Sequence, residues 1–355
     1  MPVVTNQATN ADRIQVVDAL RGLAATAVAT FHFTNGNPRF LHEGILHSVG
    51  RNGWAGVEVF FVISGFIIPW SLRRSGYRLG NFGAFLTRRI VRLDPPYLVA
   101  VLTVVLLGFL SSKAPGFAGA PFVFSWARLF LHVGYLNGFA HVPWFDIVYW
   151  TLAIELQFYL LIGLIFPLIA SERSLTATLV LALLGGSAFL LKNDVFLPAW
   201  FFPFLIGISV FRLRSGLMSA PFFLAHAALL SVGTYFTLGA IPLAACLIAA
   251  AAISWIHFRV YRPFLVLGSL SYPLYLVHVP IGGRVINLAS RLDSGGFGKL
   301  LQVFAAFAVS LSAAYVLHRF VEVPAQRWSR NVRWGRARIP RAAPLNPAQP
   351  TPNQD

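Results

Sequence analysis

The chain has 355 residues, 57% hydrophobic and only 11% charged, where a soluble domain carries about a quarter charged residues. Its apolar residues come in continuous runs such as TVVLLGFL, FYLLIGLIFPLI and PLAACLIAAAAI; these exclude a soluble domain, lack the alternation of a barrel, and predict an all-α integral membrane protein. The net charge of +16 would suit nucleic acid, but the basic clusters Arg73–Arg92 and Arg319–Arg341 flank apolar runs, as topology signals facing anionic lipid do, and no nucleic-acid motif accompanies them.

In chain order, residues 1–12 are polar, lack a cleavable signal pattern and form an N-terminal segment. Spans follow near 16–34, 53–70, 95–111, 145–169, 174–191, 197–211, 220–238, 239–257, 263–288 and 299–320. The stretch 120–140 carries Arg128, His132 and Asn137 and reads either as an eleventh span or as a re-entrant element. Loop charge arbitrates: if 120–140 does not cross, most Lys and Arg fall on one side, the cytoplasmic one by the positive-inside rule. The expectation is a bundle of about ten transmembrane helices with both termini cytoplasmic, and 112–144 as an outer loop or partly buried hairpin. The membrane domain covers 13–328. The segment 329–355, rich in Pro, Ala and Arg, is expected to be a disordered cytoplasmic tail. The single Cys246 lies in an apolar run, so no internal disulfide and no Cys/His metal cluster is expected.

Ionisable residues inside spans are costly and face a bundle interior or an aqueous cavity. They are Asp18, Arg21 and His32 in the first span, Glu58 in the second, Glu155 in the fourth, His278 and Arg284 in the ninth, and His318 near the end of the tenth. At about 100° per residue, the eleven steps from Arg21 to His32 fall within about 20° of three turns, so the two share a face about 16 Å apart along the axis. Small residues, Ala24, Ala25, Ala27 and Ala29, lie between them. Each polar residue also has a plainer explanation: Arg21 snorkelling to headgroups, His32 and Glu58 hydrogen-bonding between helices.

On the second span Trp54, Glu58, Phe61 and Gly65 share a face. Arg88, Arg89 and Arg92 stand at the cytoplasmic entry to the third span, on a helix that Pro95 should interrupt; they are either a phosphate-binding cluster or a topology signal. Thr151, Glu155 and Tyr159 stack on the fourth span, and Ser271, Tyr275, His278 and Gly282 on the ninth, where Pro273 and Pro280 can bend the helix.

In these residues and the motifs around them, the chain resembles the acyltransferase-3 family of membrane O-acyltransferases. The resemblance is carried by VDALRGLAATAVATFHF, GVEVFFVISGFII, RRIVRLDPPY, WTLAIELQFYLL, LGSLSYPLYLVHVPI and the closing HRFVEVPAQRW, over about 13–328. It implies a ten-helix bundle in the bacterial inner membrane. That bundle takes an acyl group, usually acetyl, from cytoplasmic acyl-CoA as co-substrate and passes it to a hydroxyl of a sugar or lipid-linked acceptor, without a metal. The family's Arg and His, ten residues between them, fall on Arg21 and His32; its WSL-x-x-E-x-x-FY pattern falls on Trp150, Thr151, Leu152, Glu155, Phe158 and Tyr159, with Thr151 in place of the usual Ser.

A thioester is already activated, so the chemistry needs a base for the alcohol and a donor for the oxyanion. His32 is the expected general base or acyl carrier, with Glu155 orienting its ring. Arg21, Arg88, Arg89 and Arg92 are expected to hold the phosphates of the donor. Glu58, Ser64, Tyr275 and His278 are the remaining substrate or oxyanion candidates. Expected partners are a glycan acceptor, membrane lipids and polysaccharide biosynthesis proteins, and no nucleic acid. The competing class is a proton-coupled transporter or flippase, which would use the same buried Glu, His and Arg and a Gly/Pro-broken ninth span.

Overall fold

A computed structural model describes residues 14–114, 122–256, 260–292 and 294–332. Among them there is no strand, and ten long helices form the bundle: α1 Gln15–Asn35, α2 Gly56–Arg74, α3 Phe82–Ser112, α4 Trp150–Ile169, α5 Ser174–Leu190, α6 Phe201–Arg214, α7 Ala220–Leu238, α8 Ala240–Trp255, α9 Arg262–Val277 and α10 Gly296–Leu317. Two of them do not end where regular geometry does. α9 passes through a π-helical turn, His278–Gly283, into Arg284–Ala289, and α10 through a second, His318–Glu322, into Val323–Asn331.

Counted with their short lead-in turns, eight helices among the described residues are long and apolar enough to cross a membrane. α5 and α8 are apolar but only 17 and 16 residues long. The chain is therefore a multi-pass helical membrane protein. The ambiguous 120–140 stretch holds only the eight-residue helix Trp126–Val133, too short to span a bilayer core of about 30 Å. The third span differs from expectation: α3 is helical through Pro95 and Pro96. The two prolines remove the donors to the Val91 and Arg92 carbonyls without ending the helix; the next carbonyl, that of Leu93, accepts from the Tyr272 hydroxyl of α9 at 2.8 Å. The helix at the C-terminal end runs to Asn331; the tail beyond 332 and the N-terminal segment 1–12 lie outside the described residues.

Many polar side chains within the helices bond to nearby backbone carbonyls, as a lipid surround favours. Thr26, Thr30 and Thr34 on α1 each donate to the carbonyl four residues back, at 2.9, 2.8 and 2.7 Å. The fully buried Arg212 of α6 donates to the carbonyls of Ile169, Ser171 and Leu217, capping the end of α4.

Two glycine contacts set the bundle's inner geometry. A Cβ on Gly268 of α9 would stand 2.2 Å from the Asp18 carbonyl oxygen, and one on Gly22 of α1 2.8 Å from the Gly268 nitrogen. The same holds for α2 and α6, where a Cβ on Gly65 would meet the Phe204 carbonyl oxygen at 2.2 Å and one on Gly207 that of Val62 at 2.1 Å. Both pairs run backbone against backbone. Stacked rings of Phe61, Phe204 and Phe158, at 4.7 and 4.2 Å, fill the core beside the second pair. Large apolar side chains on α5 and α7, such as Leu183 and Phe236, point outward, as on a lipid-facing surface.

Candidate active site

The backbone contact of α1 with α9 carries two imidazoles together. His32 and His278 rings lie 5.2 Å apart at an interplanar angle of 51°. His278 opens the π turn, a geometry frequent at functional positions. Its Nδ1 lies 2.9 Å from the Tyr275 carbonyl oxygen and 3.1 Å from that of Leu274, so Nδ1 carries the proton and donates. Nε2, with its lone pair, is buried and has no hydrogen-bond partner among the described residues.

Two cavities converge near this pair. The first, of about 560 Å³, is lined by Arg21 of α1, Arg74 at the end of α2, and Arg89 and Arg92 near the start of α3. Deeper in it, Glu155 accepts hydrogen bonds from Ser64 at 3.0 Å and from Tyr159 at 2.5 Å. Arg89 lies over the Tyr159 ring at 5.4 Å, and the Arg92 Nε is buried without a hydrogen-bond partner among the described residues. The second cavity, of about 360 Å³, is lined by His32, Glu58, Trp54, Trp150 and Trp200, and the Glu58 Oε2 is likewise buried without a partner. Val57 and Tyr275 line both cavities. The Tyr275 hydroxyl stands at this neck, 2.8 Å from the Thr151 hydroxyl and donating to the Val148 carbonyl at 3.2 Å.

This arrangement sorts the residues singled out in the sequence. Arg21, Arg89, Arg92, Ser64 and Glu155 share the basic cavity; His32 and Glu58 share the other; Tyr275 lies between them and His278 beside His32. The stacking of Thr151, Glu155 and Tyr159 on one face is realised, since all three line the basic cavity. Two expectations change. Glu155 does not orient His32: its bonds go to Ser64 and Tyr159, and Glu58 is the carboxylate that lines the His32 cavity. Arg88 does not line the basic cavity. Its Nε and Nη2 donate to the Val332 carbonyl at 2.8 and 2.6 Å, because its position on α3 faces the C-terminal helix instead. Arg74, counted in the sequence only as topology charge, and Tyr272 join the basic cavity. The pairing of His32 with His278 joins two spans far apart in the chain, and helical spacing alone does not reveal it.

The acyltransferase domain of the acyltransferase-3 family matches residues 14–319, which include every residue of both cavities. The chain belongs to the acyltransferase-3 family. Among curated proteins, the O-acetyltransferase OatA of Staphylococcus aureus (strain NCTC 8325 / PS 47) is 26% identical over 88% of this chain and 57% of its own length. The acyltransferase MdmB of Streptomyces mycarofaciens is 26% identical over 89% of this chain and 92% of its own. The peptidoglycan O-acetyltransferase OatA of Listeria monocytogenes is 29% identical over 41% of this chain and 23% of its own. The acyltransferase-3 chain thus spans 57% of the length of the first of these relatives. No solved structure matches it.

Proposed function

We propose that this acyltransferase-3 protein takes an acyl group, most simply acetyl, from acyl-CoA and transfers it to a hydroxyl of a cell-surface or lipid-linked glycan. The observation that carries this is the pair of cavities meeting at Val57 and Tyr275, one ringed by arginines and the other holding His32. Arg21, Arg74, Arg89 and Arg92 would neutralise the donor phosphates, for which guanidinium is well suited, and the thioester would reach the neck. The acceptor would enter the His32 cavity from the opposite end. Both histidines would then stand at the point of reaction.

In the step itself, His32 takes the proton of the acceptor hydroxyl as its oxygen attacks the thioester carbonyl carbon. The Tyr275 hydroxyl turns from the Val148 carbonyl to the developing oxyanion. The C–S bond breaks, and the thiolate leaves toward the arginine side, taking the proton back from the His32 imidazolium. His278, fixed with Nδ1 protonated, keeps its Nε2 lone pair beside the His32 ring, and Glu58 lines the same cavity as His32. Ser64 and Tyr159 hold Glu155 in the wall of the donor cavity as a positioning residue.

The protein would lie in a bacterial cytoplasmic membrane with the arginine end and both termini inside, a reading that the loop charges support. Its acceptor would come from polysaccharide-building enzymes. That two relatives bear the names O-acetyltransferase and peptidoglycan O-acetyltransferase supports an oxygen acceptor on a glycan.

The test is acetyl-CoA binding and release of free CoA by the purified protein in detergent, with His32→Ala and Arg21→Ala beside it. The expected result is that wild type binds and slowly turns over, His32→Ala binds without turnover, and Arg21→Ala binds weakly. Binding and turnover indifferent to both residues would overturn the assignment.

A further inference from the structure

A third cavity continues the path. It has a volume of about 600 Å³ and is lined by Trp144, Trp150, Trp200, Tyr135, Ile147 and Asp194. It shares Ile147, Trp150 and Trp200 with the His32 cavity. We infer that this groove is a subsite for the sugar rings flanking the acylated one, so that the acceptor is an oligosaccharide rather than a single sugar or a lipid tail. The inference rests on the function proposed above and deepens it.

The groove is built, not incidental. One wall is the segment after the short helix Trp126–Val133. There Arg128 donates to the Pro143 and Trp144 carbonyls and lies 4.2 Å over the Phe145 ring. Tyr135 is held at a φ of 57°, in the left-handed region, by stacking on Tyr97 at 4.8 Å and by donating to Asp94 at 2.9 Å. A non-glycine residue kept there is stabilised by its surroundings against its own strain. The other wall is the segment before α6. Gln157 of α4 clamps it from both sides, donating to the Val195 carbonyl at 2.9 Å and accepting from the Leu197 nitrogen at 2.9 Å. The Trp200 indole donates to the Asp194 carbonyl at 2.9 Å, which leaves the Asp194 carboxylate exposed at the rim.

The chemistry of the walls selects the occupant. Tryptophans that serve as interfacial anchors point outward one by one, as the exposed Trp126 does. Trp144, Trp150 and Trp200 are instead half-buried and converge on one groove. Flat aromatic faces match the apolar faces of pyranose rings, while an exposed carboxylate accepts from hydroxyls at the ring edge. A lipid tail would find no use for Asp194. Because Trp150 and Trp200, 4.6 Å apart, stand between groove and His32, a chain lying in the groove delivers one ring to the base while the next rings stay outside.

The experiment uses the purified full chain with radiolabelled acetyl-CoA and envelope oligosaccharides of its host, sized from one to six sugars, beside Trp144→Ala, Phe139→Ala and wild type. Phe139 lines the groove but not the His32 cavity. Expected are label in trimers and longer at least tenfold above monomers, loss of that preference in Trp144→Ala or Phe139→Ala, and free-CoA release without any acceptor in both variants within twofold of wild type. Acetyl-CoA turnover with label equal across sizes, confined to monosaccharides or lipid, or reaching no glycan at all would overturn the groove while leaving the donor site standing. Unchanged size preference in both variants would overturn it too. No acetyl-CoA turnover by wild type would overturn the proposed function itself, and the groove with it.

Discussion

His278 Nδ1 donates into its own helix, to the Tyr275 and Leu274 carbonyls, while its ring lies 5.2 Å from that of His32. The tautomer of one imidazole is thereby set by backbone. His32→Gln is expected to lower transfer by about 10²–10⁴-fold, the usual contribution of a positioned general base, with acetyl-CoA affinity kept. His278→Gln should lower kcat less, with acetyl-CoA affinity also kept. Steady-state kinetics with calorimetric binding would separate the two, and a normal kcat in His32→Gln would remove its role.

The four arginines of the basic cavity and Arg88 should part company in donor binding. Arg89→Gln and Arg92→Gln each remove a charged donor from the cavity wall. With about 1.5–3 kcal/mol for a hydrogen bond to a charged group, the KM for acetyl-CoA should rise about tenfold or more. Arg88→Gln removes a guanidinium that bonds the Val332 carbonyl and does not line the basic cavity, and its KM should stay within about twofold. Equal effects at Arg88 and Arg92 would show that the cluster acts through net charge alone.

How far the amino-acid order reveals this site depends on which contacts are local. Thr151, Glu155 and Tyr159 lie four residues apart on one helix, so helical period alone places them on one face. Arg21 and His32 follow from the same arithmetic, and the apolar runs mark nearly every helix. What sequence spacing cannot give is the crossing of helices. The approach of α1 to α9 depends on Gly22 and Gly268, far apart in the chain, and so the pairing of His32 with His278 was invisible. For the same reason Glu155 was assigned to His32, when Ser64 of α2 lies nearer. The path of α3 through Pro95 and Pro96 is a tertiary override: packing on both sides keeps helical a stretch that proline alone would end.

Glu155 is held by two hydroxyls, and each can be removed without changing shape much. Ser64→Ala and Tyr159→Phe should each destabilise the protein by about 0.5–1.5 kcal/mol, the net worth of one hydrogen bond to a half-buried acceptor. Their double variant should cost less than twice that, because both bonds go to the same Oε1 atom. Thermal unfolding in detergent reads this out; strict additivity would mean that the two hydroxyls do not share the carboxylate.

The α1–α9 contact predicts sharp size sensitivity. In Gly268→Ala the new Cβ would stand 2.2 Å from the Asp18 carbonyl oxygen, closer than atoms can pack, so the helices must separate. Overpacking of this kind costs about 1–3 kcal/mol or more, and it should also move His278 away from His32. Gly80, where an added Cβ meets nothing within 4 Å, is the control. The expected result is a lowered unfolding temperature and reduced CoA release for Gly268→Ala, with Gly80→Ala unchanged in both.

His132 should make the loop between α3 and α4 sensitive to acid. It is buried on the short helix Trp126–Val133; its Nδ1–H donates to the Arg128 carbonyl at 2.8 Å, and its Nε2 accepts from the Phe145 nitrogen at 2.9 Å. Burial pushes its pKa down from 6.5 to about 4. With the loop open, the imidazole returns to about 6.5 and binds a proton that the closed loop refuses. Closure is therefore fully stabilised above about pH 6.5 and loses that stabilisation as pH falls from there toward about 4. Hydrogen exchange of 122–146 should show protection falling across that window in wild type. In His132→Phe the titration is gone and the Phe145 N–H is left unpaired, so protection should be lower throughout and flat with pH. A wild-type profile as flat as the variant's would mean that the loop is held elsewhere.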